Sequence, residues 1–193
     1  MAAHGEAVDR LRREWFRAFL PVFEETLKAL LPLSGLTLHY ARGWDRQRSL
    51  SEALFAGRGT DTQMGFTQQG PQRADLRIRV YKKPAIEVLS RGQQKLVVSA
   101  LKLAQGRLLE SMSASSAPGR HCVYLIDDLP AELDDGYRQR FGELLGAMQC
   151  QAFITSVEPG ARWLPQAAAK MFHVKHADGE EPGRPASGRL VEG

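Results

Sequence analysis

Four consecutive residues, Val123-Tyr-Leu-Ile, form an apolar run that two carboxylates, Asp127 and Asp128, close abruptly. A strand with one wet face alternates polar and apolar residues, whereas an uninterrupted run suits a strand buried in a parallel sheet. A second such run, Ala152-Phe-Ile-Thr, follows after Tyr137–Met148, which has helical spacing. Upstream, Ala74–Val80 alternates as an exposed or half-buried strand does. Leu96, Val97, Ala100, Leu101, Ala104 and Leu108 mark one face of a helix. The order strand–helix–strand–helix–strand after residue 74 predicts an α/β fold, a mainly parallel sheet flanked by helices.

The flanks are less regular. Val8, Leu11, Trp15, Phe19, Val22 or Phe23, Leu27 and Leu30 predict a helix that kinks or breaks at Pro21 and stops at Pro32, Ser34 and Gly35. Leu36–Tyr40 reads as a strand, Arg42–Asp45 as a turn, and Ser49–Phe55 as a helix capped by Ser49 or Ser51. Gly57–Gly70 has four glycines and no strong period, so a loop is expected. Lys82–Ala85 reads as a turn, Ser111–Gly119 as a loop, and Lys170–Val174 as an edge strand. Asp178–Gly193 has the composition of a disordered tail. No internal repeat is visible.

Composition bounds the function. The chain has 193 residues, enough for one medium domain; a net charge of +4 permits contact with nucleic acid without demanding it. Cys122 and Cys150 each open an apolar run and are expected to pack at strand ends as free thiols of a reducing compartment. No apolar stretch is long enough to span a membrane, and the start does not read as a signal peptide, which points to the cytoplasm.

Three segments carry chemistry. In Leu89-Ser-Arg-Gly-Gln-Gln-Lys, Ser90 and Gly92 stand where a helix begins. Its free N–H groups and positive end can hold an anion, although Ser90 can equally be an ordinary N-cap. Asp127 and Asp128 stand at the carboxyl end of a strand, where ligands gather in open α/β sheets. One can hold Mg²⁺ and the other polarise a water, or both can be solvated turn residues. Asp134, in Ala131-Glu-Leu-Asp, fits either a subunit-facing loop or a helix cap. In this order the segments resemble the signature motif, Walker B strand and D-loop of ABC-type ATPases. Gly70-Pro-Gln-Arg-Ala-Asp-Leu, Val88-Leu-Ser-Arg-Gly-Gln-Gln-Lys, Tyr124-Leu-Ile-Asp-Asp-Leu-Pro and Met171-Phe-His-Val-Lys-His narrow the resemblance to the RecF family, over roughly residues 15–176.

That resemblance implies a weak DNA-dependent ATPase of DNA repair, replication, recombination and the SOS response. It acts at single-strand gaps or single-strand/double-strand junctions and helps load RecA together with RecO and RecR. It implies an ATP-dependent homodimer in which Ser90, Arg91, Gly92 and Gln93 clamp the partner's ATP, Asp127 holds Mg²⁺, Asp128 is catalytic and Asp134 lies at the interface. Residues 1–33 would end a helical arm, 34–176 form the C-terminal part of an ATPase head, and 177–193 the tail.

The chain departs from the family at three places. It contains no G-x-x-x-x-G-K-[ST] and no Gly-Lys pair, so it resembles only the half without the phosphate loop, and it would use ATP and Mg²⁺ only with a complementing half. Ser156 stands near where many ABC ATPases have a histidine, and Thr155 or Ser156 could bond a water or phosphate. Gln72 replaces a frequent histidine. His173 and His176 would fall on opposite faces of a strand, a poor metal pair. Arg77, Arg79, Lys82 and Lys83 can meet DNA phosphates or simply form a solvated face. The alternatives to a RecF-like head segment are an inactive truncated fragment and a DNA- or partner-binding module that hydrolyses nothing.

Overall fold

The computed structural model describes residues 2–113, 122–128, 133–148, 150–156, 170, 172–175 and 189–192. Helix α1 (Ala2–Leu30) presents Phe19, Phe23, Thr26, Leu27 and Leu30 at intervals of three and four, one buried stripe. The stripe packs on α4 (Arg91–Ser113), whose buried face is Leu96, Val97, Ala100, Leu103, Ala104 and Leu108. The alanines let the helix axes approach, and Trp15 stacks on Phe19 at 4.6 Å. Arg107 crosses the seam, donating to Thr26 Oγ1 and Glu25 Oε1, both at 2.8 Å. Phe141 and Leu145 of α5 (Asp135–Ala147) complete this core.

Pro21 neither breaks nor ends α1, contrary to expectation. It lies on the exposed face, as does Arg17, the residue whose carbonyl loses its donor, so water can take that bond while the buried stripe holds the helix together. Helix α2 (Leu50–Met64) likewise runs through Gly57 and Gly59, where a loop was expected. Ser49 and Glu52 form a reciprocal capping box at its start, and Gly65, at φ 75°, closes it in the left-handed conformation glycine adopts freely. These end signals outweigh about 1 kcal/mol of helix propensity lost per interior glycine.

The N-terminal half of α1 is tied down by polar contacts. Buried Asp9 meets Arg13 at 3.1 Å, Arg42 at 3.5 Å and the Tyr40 hydroxyl at 3.1 Å, and Glu6 accepts from Leu50 N at 2.8 Å. Burial and the Asp9 charge push the Tyr40 phenol up.

Strands β1 (Leu36–Ala41), β2 (Asp75–Val80) and β3 (Lys83–Pro84) form an antiparallel sheet, with Leu36 opposite Val80 and Ala41 opposite Asp75. Between them, a turn of 3-10 helix, Pro71–Arg73, brings Gly70 O and Ala74 N so close to Gly43 that a Cβ there would collide with backbone. β3 and the single turn α3 (Ala85–Val88) occupy the place expected for a plain turn. Strands β4 (Val123–Ile126) and β5 (Gln151–Ile154) pair in parallel, Val123 opposite Gln151 and Ile126 opposite Ile154. Their expected burial holds on one face only. Tyr124, Ile126, Cys150 and Ile154 pack on the helical core, but Val123, Leu125 and Phe153 are 54%, 80% and 55% exposed. No second layer covers that face among the described residues. β6 (Phe172–Lys175) pairs antiparallel with β7 (Arg189–Glu192), which lies in the stretch expected to be a disordered tail. Residues 114–121, most of the expected Ser111–Gly119 loop, and 176–188 lie outside the described residues; Ser111–Ser113 belong to α4. Among the described residues no helix is long and apolar enough to cross a membrane.

Candidate nucleotide site

Both parallel strands end at the same level, and the side chains just beyond their ends meet there. Thr155, the residue after β5, donates from Oγ1 to Asp127 Oδ1 at 2.5 Å and accepts from the Asp128 backbone N–H at 3.0 Å. Its own N–H donates to Ile126 O at 3.0 Å. One threonine thus holds the exit of β4, fixes one oxygen of Asp127 and turns the backbone at Asp128. Asp128 stands at φ 46°, in the left-handed region that non-glycine residues occupy at a cost; Asp and Asn tolerate it best. Strained backbone of this kind gathers at functional sites.

Asp127 and Asp128 are both exposed to solvent. Their oxygens are hard donors, the type Mg²⁺ takes. Mg²⁺ commonly binds one or two carboxylates and fills its remaining positions with water and substrate phosphate oxygens. No group of three or more His, Cys, Asp or Glu residues suited to a metal occurs among the described residues. Two such carboxylates can hold an ion that arrives with a phosphate ligand. His173 lies in β6, and His176 lies outside the described residues.

The signature-like segment opens α4. Ser90 Oγ accepts from Gln93 N at 3.3 Å while Gln93 Oε1 accepts from Ser90 N at 3.0 Å, a reciprocal capping box. The cap does not exhaust the serine. A hydroxyl that accepts through oxygen still has its proton to donate outward. The N–H groups of Arg91 and Gly92, in the first turn, have no intrahelical carbonyl to bond. Gln94 Nε2 donates to Leu89 O at 2.9 Å, seating the preceding turn. Ser90 and Arg91 are exposed, Gly92 and Gln93 half-buried.

Glu110, twenty residues along α4 from Ser90 and so about 30 Å away, accepts from Cys122 N at 2.8 Å at the base of β4. The run from Cys122 to Asp127 recovers at most about 17 Å of that separation. The signature segment and the anchoring point of β4 thus lie toward opposite ends of α4.

Asp134 caps α5, accepting from Tyr137 N at 3.0 Å, directly after buried Leu133; Ala131 and Glu132 lie outside the described residues. Arg77 and Arg79 are exposed on β2 opposite His39 and Thr37, and Lys82 and exposed Lys83 follow in the adjoining turn and strand, with Lys83 opposite Val80 and so on the other face of the sheet from the two arginines. Gln72 reaches back to Thr67 O and Gln69 O at 3.4 and 3.2 Å, a support for the loop before it. Thr155 was named in the sequence only as a partner for water or phosphate. Its clasp on both aspartate positions depends on the β4–β5 register and has no local signature.

Residues 22–180 match the family described as the RecF/RecN/SMC N-terminal domain. The chain is 59% identical to the DNA replication and repair protein RecF of Chromohalobacter salexigens over 179 residues, 91% of this chain and 48% of that protein. It is 50% identical to RecF of Pseudomonas aeruginosa over 175 residues, 89% of this chain and 46% of that one. The chain thus spans about half the length of the curated relatives it matches. A solved structure of the recombination mediator RecF with ATP superposes with a TM-score of 0.65 at 21% identity, covering 82% of this chain and 43% of that one. An SMC ATPase solved for its ATP-driven dimerization gives 0.54 at 18% identity, covering 95% and 88%. At those identities the structural likenesses establish the fold, a partial SMC-type ATPase head.

Proposed function

Because the chain belongs to the RecF family of SMC-like ATPases, we propose that it is the signature-bearing part of a DNA-repair ATPase head and works on ATP only when a phosphate loop is supplied from outside this sequence. The observation that carries this reading is that the sequence holds signature-like and Walker B-like segments but no Gly-Lys pair. Ser90–Gln93 open α4, whereas Asp127–Asp128 follow β4, whose base is tied to Glu110 near the other end of that helix, an arrangement suited to two different nucleotides in a head-to-head dimer.

Within that arrangement Asp127, held by Thr155, would take Mg²⁺. Mg²⁺ would neutralise developing charge on the transferred phosphoryl group. Asp128 would orient and deprotonate the attacking water, its backbone fixed by the same threonine. Ser90 and the free N–H groups of the first turn of α4, with Arg91, Gly92 and Gln93 around them, would clamp the terminal phosphate bound by the other subunit. Asp134, capping α5, would face that subunit. Arg77, Arg79, Lys82 and Lys83 would meet phosphates of a DNA backbone at gaps or junctions, in a cytoplasmic protein that works with RecO and RecR to load RecA.

The test supplies the phosphate-loop half of a RecF relative as a second chain. Ser90→Arg puts a bulky cation where backbone and phosphate must meet and is expected to abolish ATP-dependent dimerization, read by light scattering. Asp128→Asn is expected to leave dimerization intact and slow phosphate release by about 10²-fold, the scale of losing an acid–base group. Normal dimerization of Ser90→Arg, or unaltered turnover of Asp128→Asn, would overturn these roles.

A further inference from the structure

At the opposite end of β4 and β5 from the aspartates stand the two cysteines. Cys122 immediately precedes Val123 and Cys150 immediately precedes Gln151, and these two residues are partners in the parallel register. Carried one step back, that register sets Cys122 beside Cys150. Neighbouring strands lie about 4.8 Å apart, inside the roughly 4.4–6.8 Å that the Cα atoms of a disulfide span. Side-chain direction agrees. Cys122 Sγ lies 3.8 Å from Gly106 O of α4, and Cys150 packs on the helical core, so both thiols point to the same face. Both are free and half-buried, not sealed.

We propose that Cys122 and Cys150 are a vicinal dithiol, a modification site that low-molecular-weight disulfides close into an intramolecular bond clamping the base of the parallel strand pair. One cysteine thiolate attacks a sulfur of the reagent and releases one reagent thiolate, leaving a mixed disulfide. The second cysteine thiolate attacks the protein-side sulfur and releases the other. The protein gains one S–S bond and the reagent loses one. Two electrons pass to the reagent, and the two thiol protons end on the released thiolates.

Glu110 of α4 sets how readily this happens. Its Oε1 accepts from Cys122 N at 2.8 Å, so its negative charge sits beside both sulfurs. Burial first, and the Glu110 charge second, push both thiols up from their ordinary value, and Cys122 adds to the rise of Cys150. Thiolate is therefore scarce at neutral pH. Closure should be slow there and accelerate as pH rises toward the thiol values.

The experiment incubates the full chain with oxidised glutathione and follows intact mass and free thiols. Loss of two hydrogens together with both thiols, in a monomer, is the expected result. Cys122→Ser and Cys150→Ser should instead each stop at a stable single glutathione adduct. Glu110→Gln keeps an acceptor for Cys122 N but removes the charge, and should speed closure roughly threefold or more through a larger thiolate fraction. A chain that accumulates two glutathione adducts without closing, or only intermolecular disulfides, or that keeps both thiols free at alkaline pH while still folded, would overturn the proposal.

Discussion

The α1–α4 seam and the β4–β5 pair use the same apolar residue types and treat them oppositely. Phe23, Leu30, Leu96 and Ala100 are 1% exposed or less, whereas Leu125 and Phe153 are more than half exposed. The helices bury their stripes against each other and need no further layer. A parallel pair of four-residue strands has two faces and finds cover for one, although parallel sheets ordinarily are covered on both. Burial is therefore set by whether a facing layer exists. Among the described residues, the strands that carry the candidate site at their ends are the ones without such a layer.

The largest effect should come from deepening that contrast. Phe23→Ala empties a site enclosed by both helices and should lower unfolding free energy by about 3–5 kcal/mol in urea titrations. Leu125→Ala should change it by no more than about 0.5 kcal/mol. Equal losses would mean that the outer sheet face is packed in solution. Thr26→Val keeps shape but deprives Arg107 of a buried partner, and a loss of about 1–3 kcal/mol is expected from the same titration. Thr155→Val removes the clasp between strand ends. It should cost about 1 kcal/mol and selectively speed amide exchange at Asp128, leaving α4 unaffected. Asp128→Gly relaxes a left-handed residue and should stabilise by up to about 1 kcal/mol, while abolishing any hydrolysis measured with a complementing half.

Where period and end signals agree, the sequence is a sufficient guide. Leu36–Tyr40, α4, α5 and the parallel β4–β5 pair all fall where alternation, helical spacing or a continuous apolar run puts them. It misleads where a strong local signal is overruled from a distance. Pro21 is tolerated because the stripe from Phe19 to Leu30 is anchored on α4, and Gly57 and Gly59 because Ser49, Glu52 and Gly65 fix both ends of α2. The exposure of Leu125 and Phe153 was invisible because an apolar run states what a strand can bury, not whether a neighbour is present. In the candidate site, the aspartates and Ser90 announced themselves by type and position. The left-handed backbone of Asp128 and the clasp by Thr155 arise only once β4 and β5 pair.

The most direct test of the central claim is calorimetric titration of Mg-ATP into this chain alone, repeated after adding a phosphate-loop half. With no Gly-Lys pair in the sequence, the chain alone should show no binding tighter than about millimolar, and micromolar binding should appear only with the complement. Micromolar affinity of the isolated chain for Mg-ATP would contradict the account.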